Sequence, residues 1–342
     1  MTTLITGGTG LIGACLAAKL LARGGRVVLF DLAPAEWRIT HLMEHGGDRL
    51  SVVRGDVVSL VDLLDAFHAH HVTAVVHLAY VLGFESNAYP ELATRVNLLG
   101  TLNVLEAARH GGVKRVILAS SIAVYGSDDD YRPEELPLTE EAPLYVARGL
   151  PVYGAGKVYL EQLGRHYASR YGFTVAGLRP SIVYGWGRRS GASSFAGELA
   201  DRAAMGEPAT VGFGDARISL VYVDDVAEQF VALLEADPSR FARHRFFNTG
   251  GDRCTVRELA ETVRRLLPGA RIEVRSAGEQ NLGGLATSLS DRGLEEEIGI
   301  RRKFTPIEVG LRAQIDVARA RALNLSPSPG ATLDRFRDPP GR

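Results

Sequence analysis

The 342-residue chain has little cysteine: only Cys15 and Cys254, far apart in sequence. They form neither a CxxC pair nor a metal-ligand spacing, which excludes a disulfide-stapled scaffold and a cysteine-based zinc site. Cys15 lies in an apolar helical pattern and reads as a small core residue. Cys254, near a helix start, reads as structural too. A reduced, cytoplasmic setting is expected, and no metal. No run of about 18 apolar residues occurs, so no membrane span is expected. The opening "MTTLITGG" enters an apolar strand with no basic region before it, so no secretory signal is expected. An excess of one charge is lacking as well: 39 Lys and Arg face 40 Asp and Glu, a formal net charge of −1. That excludes a general electrostatic nucleic-acid binder and leaves a small molecule as the expected partner.

Over the first 180 residues, short apolar strands alternate with helical patterns. Strands are predicted at 2–6, 26–30, 50–54, 74–78, 115–120 and 173–178, and helices at 11–23, 59–69, 90–110 and 153–171. Such alternation builds right-handed βαβ units and a parallel sheet covered on both faces. The near-continuous apolar strand "AVVHL" fits that burial. The expected fold class is α/β, a doubly wound parallel sheet (1–180) with a smaller C-terminal α/β lobe (181–323) partly interleaved with it. The lobe takes the strands "ISLVYV", "HRFFNTG" and "ARIEVR" and the helices beside them. The polar, proline-rich end, 324–342, is expected to be a loosely held tail.

Gly7, Gly10 and Gly13 stand between the first strand and the first helix, in "LITGGTGLIGACLAAKL". Without Cβ atoms, the turn can approach a pyrophosphate closely, and the helix N-terminus offers free N–H groups and its positive dipole end. Asp31 ends the next strand, where a carboxylate can accept hydrogen bonds from an adenosine ribose diol and repel a 2′-phosphate. NAD is thereby favoured over NADP. Asp56, after the third strand, can reach the adenine edge or cap the next helix. His77 ends an apolar strand and reads as a satisfied structural histidine.

The stretch "VYGAGK" opens a helix with Tyr153 and Lys157 on one face. Its two glycines weaken the helix by roughly 1 kcal/mol each relative to alanine. A free tyrosine, with a pKa of about 10, is no base at neutral pH. A neighbouring ammonium would favour its phenolate.

In order along the chain, "TGGTGLIG", "GDV", "HLAY", "VNLLGTLNVLEAAR", "SSIAVYG", "YGAGK", "LRPSIVYG" and "VYVDDVA" resemble the motifs of the extended short-chain dehydrogenases/reductases, also called NAD-dependent epimerases/dehydratases. The resemblance runs from residue 2 to about 320. It implies a Rossmann-type fold, NAD as cofactor and a homodimer built on helices 90–110 and 153–171, with Val158, Leu160 and Leu163 at the contact. Tyr153, Lys157 and Ser121 would be catalytic, with Ser120 set aside. Cofactor positions would fall on Gly7, Gly10, Leu11, Ile12, Gly13, Asp31, Asp56, Val57, Leu78, Ala79, Asn97, Tyr153, Lys157, Pro180, Ser181 and Val183. Substrate would meet Phe84, Ser86, Ser121 and Tyr153, with Arg188, Arg189 and Arg217 as possible anion contacts.

The chain departs from the family's nucleotide-sugar members at several places. The positions after Ser121 are Ile122 and Ala123, not the acidic residues of the dehydratases. Ile182 stands where such enzymes commonly carry an asparagine, and Ile218 where an arginine often meets the sugar diphosphate. Arg217 is one residue off, on the other face of a strand unless a bulge turns it. The acidic loop 126–151 is long enough to be a lid or a substrate wall, with Asp128–Asp130 expected to be a solvated run. The expected activity is NAD-dependent oxidation of a secondary hydroxyl on a sugar-like or polyol substrate. The alternative is a nucleotide-sugar epimerase with retained NAD. A non-catalytic NAD-binding regulator would be expected to have lost Tyr153 or Lys157, and both are present.

Overall fold

The computed structural model describes residues 1–144, 151–189, 191–276, 285–300 and 305–324. Its strands are β1 (Thr2–Thr6), β2 (Arg26–Asp31), β3 (Leu50–Arg54), β4 (Ala74–His77), β5 (Arg115–Ala119), β6 (Thr174–Arg179), β7 (Ile182–Tyr184), β8 (Ala209–Val211), β9 (Arg217–Tyr222), β10 (Phe246–Asn248), β11 (Asp252–Thr255) and β12 (Ile272–Val274). The helices are α1 (Leu11–Ala22), α2 (Glu36–Gly46), α3 (Leu60–Ala69), α4 (Gly83–Ala88), α5 (Pro90–Ala93), α6 (Gly100–His110), α7 (Val152–Tyr171), α8 (Phe195–Ala204), α9 (Val223–Glu235), α10 (Val256–Leu266) and α11 (Ile307–Asn324).

Among the described residues, seven strands form one parallel sheet in the order β10-β6-β5-β4-β1-β2-β3. The reversal of order beside β1 opens a crevice at the carboxyl ends of the strands, where ligands of such sheets bind. The central strands are apolar on both faces because helices cover both. One core layer packs α1 and α9 against Ile5, Leu29, Val76, Ile117 and Leu178. The other packs α3, α6 and α7 against Leu4, Val28, Val75, Val116 and Val175.

The smaller lobe is a second core around β7, β9, α8, α10 and α11. "HRFFNTG" is not part of it: β10 pairs with β6 and extends the main sheet. Likewise α9 lies against α1. The chain therefore leaves the sheet after β6, returns through α9 and β10, and leaves again. Local pattern cannot reveal this, because β10 reads the same whichever sheet it joins.

The span 90–110 is helical throughout, as expected, but a π turn interrupts its regular α pattern. It runs α5, a π-helical turn over Thr94–Leu99, then α6. Leu160, expected at a subunit contact, is fully buried under the protein's own sheet. The exposed apolar residues of this face are Leu92, Leu99, Val152 and Tyr159 instead. Most of the predicted tail, 325–342, lies outside the described residues.

Candidate active site

A cavity of about 1190 Å³ runs along the carboxyl ends of the sheet and under the smaller lobe. Gly7, Gly10, Leu11, Ile12, Gly13, Asp31, Asp56 and Val57 line one end. Ser121, Tyr153, Lys157, Pro180, Ser181, Val183 and Arg188 line the other, and Leu78 and Ala79 lie between.

At the first end, Gly7 adopts φ +63°, and a Cβ there would sit 2.9 Å from the Ala79 nitrogen. Only glycine allows both the turn and this approach. Gly10 supplies no side-chain cap to α1, so the first N–H groups of that helix remain for a ligand. Asp31 accepts from the Thr9 hydroxyl at 2.6 Å and the Thr9 nitrogen at 3.1 Å, which fixes its carboxylate at the rim. Asp56 accepts from the Val58 nitrogen at 2.9 Å, so it caps its turn and lines the cavity as well. This cradle fits a dinucleotide: backbone donors for a pyrophosphate, a carboxylate for a ribose diol.

At the second end, Tyr153 and Ser121 line the cavity together. Ser121 also accepts from the Ala123 nitrogen at 3.1 Å, which orients its hydroxyl. Lys157, only 3% exposed, donates to the Ala119 carbonyl at 2.6 Å. Burial pushes its ammonium down to about 7, with Glu161 opposing. Burial also raises the Tyr153 phenol; the nearby Ser121 side chain and the Arg188 charge oppose it. Lys157 lies 5.5 Å from the centre of the Tyr153 ring, and Arg188 adds a second positive charge that acts on the phenol. Ser120 is committed elsewhere: its hydroxyl donates to Glu161 at 2.6 Å.

The structure separates several expected site residues from the cavity. Asn97, in the π turn, accepts from the Val81 nitrogen at 2.7 Å and donates to the Val81 carbonyl at 3.1 Å. It fastens the wall from behind, and is not among the lining residues. Ser86 is fully buried, donates to the Val81 carbonyl at 2.6 Å and also lies behind the wall. Phe84 lines the cavity and is 72% exposed. Arg189 lines it too, with its guanidinium over Trp37. Arg217 does not: β9 keeps regular register with β11, no bulge intervenes, and Arg217 is exposed while Ile218 enters the lobe core. Asp128 is not solvated either. It accepts from the nitrogens of Thr287 and Ser288 at 2.8 and 3.0 Å and so ties the acidic loop to the smaller lobe.

Two features escaped the sequence. Tyr80 sets its ring over Lys157, 3.3 Å from the ammonium nitrogen, and edge-on to Tyr153. Glu161, one turn beyond Lys157, is buried against Arg179 at 2.7 Å. Its position four residues after Lys157 was the available signal.

The profile of the NAD dependent epimerase/dehydratase family matches residues 3–248. The chain belongs to that family. It is 33% identical to a UDP-glucose 4-epimerase of Mycolicibacterium smegmatis over 238 residues, 68% of this chain and 72% of that one. It is 27% identical to the mitochondrial L-threonine 3-dehydrogenase of Bos taurus, over 79% of this chain and 69% of that one. A solved Thermus thermophilus UDP-glucose 4-epimerase in complex with NAD superposes with a TM-score of 0.78 at 28% identity, covering 93% of this chain and 99% of that one. An L-threonine dehydrogenase from Cupriavidus necator gives 0.77 at 25%, covering 94% and 100%. The family thus holds NAD-dependent epimerases and dehydrogenases on one fold, and membership makes this chain an enzyme of that extended short-chain class.

Proposed function

We propose that the protein is an NAD-dependent dehydrogenase for a secondary hydroxyl on a small sugar-like or polyol substrate, and that this substrate is not a nucleotide-diphosphate sugar. What carries the proposal is the convergence of Tyr153, Ser121 and Lys157 in one cavity whose other end is the glycine cradle. Asp31, Asp56 and the α1 N-terminus would hold the adenosine and pyrophosphate of NAD, and Lys157 the nicotinamide ribose. When bound, NAD supplies the hydride acceptor. Ser121 orients the substrate hydroxyl and Tyr153 takes its proton, the Arg188 charge opposing the upward push of burial on the phenol. Tyr80 and Ala119 hold Lys157 in place.

The restriction on substrate rests on Ile182 and Ile218. Ile182 lines the cavity but cannot donate, and Ile218 and Arg217 lie outside the lining. Each unsatisfied buried phosphate oxygen costs about 1–3 kcal/mol. The alternative is a nucleotide-sugar epimerase, supported by the relatives carrying that name. Dimerisation through the spans 90–110 and 153–171 is supported by the exposed Leu92 of α5, Leu99 of the π turn, and Val152 and Tyr159 of α7. A cytoplasmic site is supported by two cysteines that are both free.

Tyr153→Phe is expected to abolish turnover, by 1000-fold or more, and to leave NAD binding by fluorescence titration nearly unchanged. That range is roughly the one for loss of a general base. Wild-type turnover by this variant on the true substrate would overturn the mechanism. NAD that co-purifies tightly and never accumulates as NADH would favour the epimerase.

A further inference from the structure

Arg188 lines the same cavity as Tyr153, and its charge acts on the Tyr153 phenol. Its guanidinium is fixed from two sides: one terminal nitrogen donates to the Val183 carbonyl, the other to the Ser193 hydroxyl at 2.6 Å. Its Nε is buried and has no partner among the described residues. Among the described residues no carboxylate forms an ion pair with Arg188, although Glu198 lies close enough to act on it through space. A half-buried cation held this rigidly and left without a counter-ion is costly unless a ligand supplies one. Gly191 packs against Leu82 and the Arg188 guanidinium, so one wall beside it is small and apolar.

We propose that Arg188 is the substrate's anion contact, and that the substrate is a small hydroxy acid whose carboxylate sits beside the carbinol oxidised at Tyr153. The proposal rests on the dehydrogenase assignment and replaces its neutral sugar-like or polyol substrate by one that carries a carboxylate. A guanidinium edge matches a carboxylate in paired hydrogen bonds, and one fixed fork suits one carboxylate. A diphosphate would need further donors. Arg189 stacks on Trp37, and Arg217 is outside the cavity. In the reaction the carbinol gives its hydroxyl proton to Tyr153 and its two C–H electrons leave as hydride to NAD. The product is a keto acid, whose carboxylate remains paired throughout. The same contact keeps a second negative charge near Tyr153, and Arg188 neutralises it.

The test is a panel of 2- and 3-hydroxy acids of three to five carbons, their methyl esters and neutral polyols. NADH absorbance reads turnover, and calorimetry on the NAD-loaded protein reads binding. Expected are oxidation and binding of at least one acid, with its ester at least about 50-fold weaker in kcat/KM, the range for loss of a charge-assisted contact. Arg188→Gln should erase the acid–ester difference while NAD affinity holds, and Arg188→Lys should recover part of it. Should Arg188→Gln fail to fold, Ser193→Ala frees one end of the fork and should raise the KM of the acid several-fold more than that of the ester. Binding or oxidation of polyols or esters equal to that of the acids overturns the carboxylate contact while leaving the dehydrogenase assignment intact. Acid binding without NADH, lost in Arg188→Gln, supports the contact and overturns the dehydrogenase. No binding of any acid overturns the contact.

Discussion

The Tyr80 hydroxyl answers why the α7 helix opens with "YGAGK". A Cβ at position 156 would lie 2.6 Å from that hydroxyl. Tyr80 cannot easily retreat, since its ring covers Lys157 and meets Tyr153. Gly156→Ala should therefore lower activity and gain little or no stability in the native background. With Tyr80→Phe, which removes the clashing oxygen, the same substitution should recover roughly the 1 kcal/mol of helix propensity that glycine forgoes. A urea double-mutant cycle measures this, and additive effects would remove the steric explanation. Lys157 carries its own signature. Its folded pKa of about 7 lies below the unfolded 10.5. Below pH 7 both states are protonated, and the folded protein bears the full cost of a buried ammonium. Between 7 and 10.5 the unfolded chain holds the extra proton, so this residue makes stability rise with pH. Lys157→Met should thus gain most in melting temperature, relative to wild type, at pH 6, and the gain should shrink toward pH 9.

Helix α7 reaches its site because it is latched to two strands. Glu161 accepts from Ser120 after β5 at 2.6 Å and from Arg179 of β6 at 2.8 and 2.7 Å. All three residues are buried. Removing Arg179 leaves buried Glu161 with only the longer Arg165 pair at 3.5 Å, a loss approaching about 3–5 kcal/mol. Arg179→Met should destabilise by that amount in chemical denaturation and also disturb Lys157. Arg179→Met with Glu161→Leu should be milder than Arg179→Met alone; a double variant as unstable as the sum of the singles would show that the latch acts by packing and not by charge. The π turn serves the other wall: its extra residue per turn aims Asn97 at the Val81 backbone.

In the molecule as a whole, the cavity exists because the lobe closes over the sheet, with Asp128 bonded across to Thr287 and Ser288. The closed walls offer few donors for a nucleotide diphosphate. Titration of UDP or GDP into the NAD-loaded protein should accordingly give weak binding, with dissociation constants above about 100 μM, or roughly −5.5 kcal/mol and weaker. Low-micromolar binding would promote the epimerase. Light scattering at micromolar concentration should return a dimer, and a Leu99→Glu variant should shift it to monomer. A monomeric wild type would assign the exposed apolar face another role.

The parallel sheet, the glycine turn, Asp31 and the Tyr153/Lys157 pair were determined by sequence alone. Strand and helix periods, a glycine triplet between them and a four-residue spacing are all local signals. What needed the tertiary structure was every property set by non-local approach. Whether β10 belongs to the sheet or the lobe depends on β6, 67 or more residues upstream. The π turn has no periodic signature apart from a helix. Arg217 and Ser86 carry the right chemistry but are turned away by register and burial, and Arg188 is brought to Tyr153 by a loop. Gly156 is readable only once Tyr80 stands against it, because a missing side chain reports its reason through the neighbour that fills the space.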